Sequence, residues 1–161
     1  PPPKETVMMF RLIRTTAVVA FSLSLTTLAT IGPPAKAQTC VPLAIVGSEE
    51  TEVTKTVSLP GLLFINSNWD TDFVVDSPYN YFVVNFESQG GNPYDIDVFL
   101  KYPDDSVDSS YHVRERSIPA NEPITITAES RVSSDPYQVN LRVGGITSEG
   151  NTYTASVSGC I

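Results

Sequence analysis

Aspartates at short spacing are the side chains of this sequence that are best suited to bind a cation. Asp95 and Asp97 are two residues apart, which on a β-strand places both carboxylates on one face, about 7 Å apart. Asp70 and Asp72 repeat this spacing at a turn. A third group lies in a polar stretch. Calcium takes six to eight oxygen ligands, so these residues form a candidate calcium site. The alternative is that they are solvated or cap turns, since no D-x-[DN]-x-[DN]-G loop is present. The candidate ligands are Asp70, Asp72, Asp95, Asp97, Asp104 and Asp105.

Two other side chains are candidates for ligand contact or catalysis. Trp69 lies among polar residues in NSNWDTD, where an exposed ring could stack on a sugar or a protein; packing over the end of the fold is the alternative. His112, in YHVRER, is the only histidine. A lone histidine on a strand is more typical of a surface residue than of a general base, and no G-x-S-x-G motif is present. We therefore predict a protein with no catalytic residues and no cofactor other than calcium.

The two cysteines predict a disulfide. Cys40 and Cys160 lie near the two ends of the chain that would remain after export, and two cysteines in an exported protein typically pair. Lipid attachment to Cys40 is disfavoured because the preceding residues Ala37, Gln38 and Thr39 match a lipoprotein signal poorly. A Cys40–Cys160 bond requires the first and last segments of the mature chain to lie side by side.

The N-terminal region has the pattern of a secretory signal peptide. Arg11 and Arg14 precede the uncharged apolar segment 17–31, which is followed by an A-x-A site ending at Ala37. We expect cleavage between Ala37 and Gln38. A transmembrane anchor is the alternative, but about 15 apolar residues fall short of the roughly 20 that span a bilayer.

The segments flanking this signal set the expected domain boundaries. Met8 and Met9 stand just before the basic region, so we expect translation to start at one of them and residues 1–7 to be an over-extended start. Residues 1–37 are then the signal peptide and residues 38–161 the mature domain. The protein is expected to be secreted, periplasmic or at the cell surface, with no stable membrane anchor after cleavage.

The charge of the mature chain excludes one class of partner. Residues 38–161 contain 17 acidic and 6 basic residues, a net charge of −11. Nucleic acids are bound through basic surfaces that contact phosphates. We therefore expect no nucleic-acid partner, and an acidic, soluble surface.

Hydrophobic alternation predicts an all-β fold. In Asp95–Tyr102, Ile96, Val98 and Leu100 should face a core, with Asp95 and Asp97 exposed. Eight or nine such short strands, separated by Gly, Pro, Asn and Asp, are typical of a single β-sandwich with a jelly-roll or immunoglobulin-like topology. The predicted strands are 52–59, 62–65, 73–75, 79–87 (whose YFVVNF should be buried on both faces), 95–102, 111–118 (after the loop PDDSVDSS), 124–128, 137–143 with Tyr137 inward, and 153–157.

Four segments, WDTDFVV, YFVVNFE, YDIDVFLKYPDD and YQVNLRV, resemble the bacterial pre-peptidase C-terminal domain. That family is an exported β-sandwich often appended to secreted proteases and other extracellular enzymes. The resemblance covers about residues 69–143. It implies an extracellular β-sandwich with a binding or accessory role and no reaction of its own.

These observations predict a secreted, non-catalytic binding or surface-associated module, whose partner is an extracellular protein or polysaccharide. The alternative function is a small extracellular hydrolase, or an accessory or inhibitor domain of one. An enzyme needs a concave site with convergent polar groups, whereas a module needs only an exposed loop, edge or face.

Overall fold

A computed structural model describes residues 38–58 and 69–161 of the chain. This part contains nine β-strands and one short 3₁₀-helix, so the fold is all-β as predicted. None of its helices has the length and hydropathy needed to cross a bilayer. The strands are β1 (Cys40–Pro42), β2 (Glu52–Thr56), β3 (Asp70–Val74), β4 (Tyr81–Ser88), β5 (Pro93–Lys101), β6 (Val107–Ser117), β7 (Pro123–Glu129), β8 (Gln138–Gly144) and β9 (Thr152–Cys160), and the 3₁₀-helix η1 spans Ile146–Ser148.

The strands form two antiparallel sheets that pack face to face as a sandwich. Sheet A has the order β1-β9-β4-β7, with β2 also pairing with β9, and sheet B has the order β3-β8-β5-β6. The orders β2-β9-β4-β7 and β3-β8-β5-β6 are those of a jelly roll, in which successive strands mostly alternate between the sheets. Of the two predicted topologies, the structure therefore has the jelly roll.

The first and last strands are joined covalently. β1 and β9 are antiparallel neighbours, with Cys40 directly opposite Cys160. The two cysteines form a disulfide across a Cα–Cα distance of 4.1 Å, and the Ile161 N–H donates to the Thr39 carbonyl at 3.1 Å. The predicted disulfide and the side-by-side placement of the two terminal segments are confirmed.

Alternation along β5 and β8 builds the sheet B half of the core. Ile96, Val98 and Leu100 are fully buried between the sheets, as predicted. The predicted strand 153–157 is also confirmed, as part of β9. Sheet A contributes Phe86 and Tyr153, whose rings stack at 5.2 Å, and Phe86 meets Tyr94 of β5 in sheet B edge-on at 5.2 Å. Burial of these apolar side chains is the main stabilising contribution to the fold.

Three details of the predicted strands are wrong. β4 is central in its sheet, but its outward side is not buried: Tyr81 and Val83 are half-buried and Asn85 is exposed, because no third layer covers sheet A. Tyr137 is 47% exposed rather than inward, since β8 begins one residue later. The segment 107–110, predicted as loop, belongs to β6, an edge strand on which polar residues can face water.

Several predictions lie outside the described residues. These are the signal peptide 1–37 with cleavage after Ala37, the last residue of the predicted strand 52–59, and the strand 62–65. They stay predictions.

Candidate functional site

The outward side of sheet B carries a pocket of about 220 Å³. On this side β3, β8, β5 and β6 present mainly charged and polar side chains, among them Asp72, Arg142, Asp97, Lys101 and His112, together with a few apolar ones such as Phe99. We refer to it as the charged face. The pocket lies where these strands approach Trp69, and it has an aromatic wall beside carboxylates and guanidinium groups. Its lining residues are Trp69, Asp95, Asp97, Arg114, Arg142 and Gly144.

Trp69 forms the aromatic wall because a glycine lies beneath its ring. Gly144 faces outward on β8, and a Cβ at this position would collide with the indole. The indole N–H donates to the Ser58 carbonyl at 2.8 Å, which fixes the ring's orientation. Trp69 is half-buried and packs against the core, yet it also lines the pocket. Both roles that the sequence left open for this residue are thus present in the geometry.

A β-bulge directs Arg114 into the pocket. The β5–β6 register shifts between Tyr94 and Ile96, where β6 has one residue more than β5. Glu115, within this bulge, has a φ of 51°, in the left-handed region that non-glycine residues rarely adopt. The Asp95 carboxylate accepts a hydrogen bond from the Glu115 N–H at 2.9 Å. Asp95 therefore holds the bulge that positions Arg114.

Asp97 is buried and Asp95 is half-buried, which corrects the prediction that both are exposed. The Asp97 side chain lies on the outward side of β5 but is only 5% exposed, because β6 covers it. One carboxylate oxygen is 2.5 Å from Nδ1 of His112 and 3.0 Å from the Arg114 guanidinium. His112 itself is a surface residue, as expected, with 59% of its side chain exposed.

Arg142 completes the pocket from β8. In the sheet register it lies between Asp70 on β3 and Asp97 on β5. It forms no ion pair with either; instead its guanidinium carbon lies 5.4 Å from the centre of the Trp69 ring. A cation over an indole face is attracted by the ring quadrupole, and this interaction uses none of the guanidinium N–H donors.

Asp72 lies on the charged face outside the pocket, in a hydrogen-bonded group of its own. It accepts from Asn140 at 2.8 Å and from Lys101 at 3.0 Å. Burial alone would raise the pKa of Asp72, but the hydrogen bonds from Asn140 and Lys101 and the charge of Lys101 together hold that pKa below its usual value.

The third aspartate group lies in the β5–β6 turn. Asp104 accepts from the Ser106 hydroxyl at 2.5 Å and lies 3.9 Å from Arg131. Asp105 has a positive φ of 63° in the same turn. The hydrogen bonds from Ser106 lower the pKa of Asp104. Asp104 therefore caps a turn, one of the two roles that the sequence left open.

The six candidate calcium ligands thus fall into separate places: Asp95 and Asp97 in the pocket, Asp70 and Asp72 on β3, and Asp104 and Asp105 in a turn. Within residues 38–58 and 69–161, no group of three or more acidic, histidine or cysteine side chains is arranged to hold a metal ion. Calcium binding stays a prediction.

The outward side of sheet A is different in chemistry. Hydroxyl side chains dominate it, and we refer to it as the hydroxyl face. Threonines pair across β2 and β9, with Thr54 3.2 Å from Thr154 and Thr56 2.9 Å from Thr152. Its members are Thr54, Thr56, Thr125, Thr127, Thr152, Thr154, Ser156 and Ser158, with Tyr81, Val83 and Asn85 on β4 and three glutamates, Glu52, Glu87 and Glu129.

The sequence analysis identified Trp69, Asp95 and Asp97 as candidates but missed Arg114, Arg142 and Gly144. A signal for the arginines was present, because both lie at outward positions of alternating strands in a mature domain, residues 38–161, that has only six basic residues. Gly144 could not be recognised, since only the fold brings the Trp69 ring onto β8.

No family model and no curated protein sequence matches the chain. Among solved structures, it is similar to a family 29 carbohydrate-binding module, with 9% identity and a TM-score of 0.44 over 76% of this chain and 88% of that one. A variant of such a module in complex with mannohexaose has 5% identity and a TM-score of 0.45, over 76% and 79% of the two chains. These similarities are too distant to indicate a ligand for this chain, and the resemblance to the pre-peptidase C-terminal domain stays a prediction.

Proposed function

We propose that the protein is an exported, non-catalytic binding module that holds a sugar unit of an extracellular polysaccharide in the pocket beside Trp69. The observation that carries the proposal is the pocket itself, which places an aromatic ring next to hydrogen-bond donors and acceptors. Its volume of about 220 Å³ is below the usual 300–1,000 Å³ of sites for drug-sized ligands, and it suits a single sugar ring.

The chemistry of the lining fits a sugar. The C–H side of a sugar ring is apolar and packs on an aromatic face such as that of Trp69. Its hydroxyl groups both donate and accept, so they can pair with the carboxylate of Asp95 and with the guanidinium groups of Arg114 and Arg142. A tryptophan that served only the core would not need charged groups around its free edge.

The roles of the two carboxylates favour binding over hydrolysis. Glycosidases use a pair of carboxyl groups, one to transfer a proton and one to act on the sugar or on water. Here Asp97 is held by His112 and Arg114, and Asp95 is held by the Glu115 N–H. Each carboxylate therefore has a positioning role that proton transfer would disturb.

The disulfide supports export. Disulfides such as Cys40–Cys160 form and persist in oxidising compartments, and an extracellular or periplasmic protein meets polysaccharides there. The predicted cleavage before Gln38 is part of the same proposal, and the intact mass of protein recovered from the medium or periplasm tests it.

Calorimetric titration with oligosaccharides tests the binding function. We expect saturable binding to at least one glycan, and loss of that binding in Trp69→Ala and in Arg114→Gln. Tyr137→Ala serves as the matched control, because Tyr137 is an exposed aromatic residue that does not line the pocket. Arg114→Gln retains the indole and so tests the pocket even if Trp69→Ala unfolds. Binding that survives both variants, or the absence of any glycan ligand, refutes the proposed function.

A further inference from the structure

We infer that the sugar bound in this pocket carries an anionic group, a carboxylate or a sulfate ester, and that Arg142 binds it. This inference rests on the proposed function and names the class of sugar. The juxtaposition that supports it is an unpaired guanidinium held on the aromatic wall of the pocket.

Arg142 differs from the other lysines and arginines of the mature chain in its hydrogen-bond partners. In the part of the chain that the structure describes, each of the other five lysines and arginines has an oxygen acceptor, whereas Arg142 has none. The acceptors are the Asp70 carbonyl and Thr71 for Lys55, Asp72 for Lys101, Asp97 for Arg114, the Tyr111 hydroxyl for Arg116, and Asp108 for Arg131.

The lack of a partner is unexpected from the surroundings of Arg142. The mature chain has 17 acidic residues for 6 basic ones, and two aspartates, Asp70 and Asp97, lie directly across the sheet from Arg142. The Asp97 carboxylate is already hydrogen-bonded to Arg114 and His112. The Arg142 guanidinium instead lies over the Trp69 ring. This contact holds the guanidinium at the pocket and leaves its N–H donors without an acceptor.

A free guanidinium in this position suits an anionic group. Its parallel N–H donors match the two oxygens of a carboxylate and also bind sulfate oxygens, and such charge-assisted pairs are stronger than neutral hydrogen bonds. A sugar ring that packs on Trp69 would bring a substituent at its edge toward Arg142. The same ring would keep its hydroxyl groups near Asp95 and Arg114.

The net charge of the domain restricts the form of the ligand. With a charge of −11 on the mature chain, a densely charged polymer is repelled at long range, and salt screens this repulsion beyond about 8 Å at physiological ionic strength. Recognition must therefore come from local contacts with one or two sugar units. We expect short acidic oligosaccharides to bind well even where long polyanions bind poorly at low salt.

The test compares three tetrasaccharides of the same length by calorimetric titration at physiological salt: tetragalacturonate, neutral galactotetraose and a sulfated galactotetraose. We expect at least one acidic ligand to bind more tightly than the neutral one, and Arg142→Gln to weaken that acidic ligand roughly 10- to 100-fold more than it weakens the neutral one. The acidic ligand that shows the effect identifies the group as carboxylate or sulfate. Lys101→Gln, on the same face but outside the pocket, is the matched control and should bind as the wild type does.

Asp70→Asn sharpens the test, because it removes the carboxylate directly opposite Arg142 on β3 and should strengthen acidic binding about two- to five-fold, an effect of the size of one surface ion pair. If the neutral ligand binds as tightly as the acidic ones, and Arg142→Gln has no effect, the inference is wrong while the proposed function stands. If none of the three ligands binds while a different, neutral glycan binds, the inference is wrong and the proposed function stands.

Discussion

Two aromatic rings in this protein lie on strand glycines, one in each sheet. Tyr79 covers Gly159 of β9, and Trp69 covers Gly144 of β8; in both cases a Cβ on the glycine would collide with the ring. Tyr79 lies between the sheets, is 8% exposed and packs edge-on against Phe82 at 5.9 Å. Trp69 lies on the outward side of its sheet, beside the charged face.

The difference between the two pairs shows that the neighbours of an aromatic ring, and not its local support, decide its use. Around Tyr79 the next contacts are core side chains, so the ring adds buried apolar area and stability. Around Trp69 the next contacts include Arg142 and the pocket, so the indole borders a space that a ligand can enter. The same local arrangement thus serves packing in one sheet and, in our proposal, recognition in the other.

The largest expected effect comes from the Cys40–Cys160 disulfide, in which Cys160 directly follows Gly159, the glycine that Tyr79 covers. Reduction of Cys40–Cys160 should lower the free energy of unfolding by about 3–4 kcal/mol, because the bond closes a loop of 120 residues in the unfolded chain. The strand content measured by circular dichroism should not change, and ligand binding at the distant charged face should persist. Urea unfolding with and without reductant measures the effect. A reduced protein that is as stable as the oxidised one would contradict the expectation.

The next effect separates the two glycines. Gly159→Ala should cost about 2–3 kcal/mol, because the methyl group displaces a ring that is enclosed in the core. Gly144→Ala should cost less, about 1 kcal/mol, since Trp69 can move toward solvent. The effect on ligand binding should be the reverse of the effect on stability. Gly144→Ala should lose ligand binding, and Gly159→Ala should retain it.

Urea unfolding and calorimetric titration of the two variants measure both quantities. Ser158→Ala, which changes an outward residue next to Gly159, is the control and should match the wild type within about 0.5 kcal/mol. Equal losses of stability in the two glycine variants would show that Trp69 is as much a core residue as Tyr79 is, and the comparison would fail.

A smaller change in stability is expected when one outward residue is substituted on the central strand of each outer face. Asp97→Ala on β5 should lower stability by about 1–2 kcal/mol, because Arg114 and His112 lose a shared acceptor but regain water at their exposed ends. Asn85→Ala occupies the equivalent outward position on β4 of the hydroxyl face and should change stability by less than about 0.5 kcal/mol. Chemical unfolding of both variants gives the two values. A cost for Asn85→Ala as large as that for Asp97→Ala would mean that the charge network adds nothing to the fold.

The sequence predicted the parts of the fold that depend on local pattern. Alternation identified the inward set Ile96, Val98 and Leu100, and the position of the cysteines identified the pairing of the first and last strands. The parts that it could not predict depend on contacts between distant segments. Asp97 is covered by β6 through a bulge at Glu115, and neither the bulge nor the strand partner can be read from β5 alone.

The candidate site shows the same limit. Trp69 and the two aspartates of β5 were recognisable as unusual residues, but their relation to Arg142 arises only when β8 is placed between β3 and β5. Strand order in a jelly roll is set by packing of the whole sandwich, and alternation of side chains is the same in any order. The residue types of the pocket were therefore partly predictable, whereas their assembly was not.

The smallest effect is the pH dependence of the charged face. Because the hydrogen bonds from Asn140 and Lys101 outweigh burial and hold the pKa of Asp72 below its usual value, ionised Asp72 stabilises the fold at pH values above the unfolded pKa of about 3.9. That contribution is lost as the pH falls through the lower pKa of the folded state. Asp72→Asn cannot titrate, so its stability should decline less between pH 5 and pH 2 than that of the wild type. At neutral pH the difference should stay below about 1 kcal/mol, because Lys101 and Asp72 are both partly exposed.

Thermal unfolding of the two proteins across this pH range measures the difference, and the two stabilities should converge at the acidic end. Lys101→Gln provides the intermediate case, since it removes the cation but leaves the Asn140 hydrogen bond at 2.8 Å. Its acid sensitivity should fall between those of the wild type and Asp72→Asn. Parallel curves for all three would show that Asp72 does not stabilise the charged face through its ionised form.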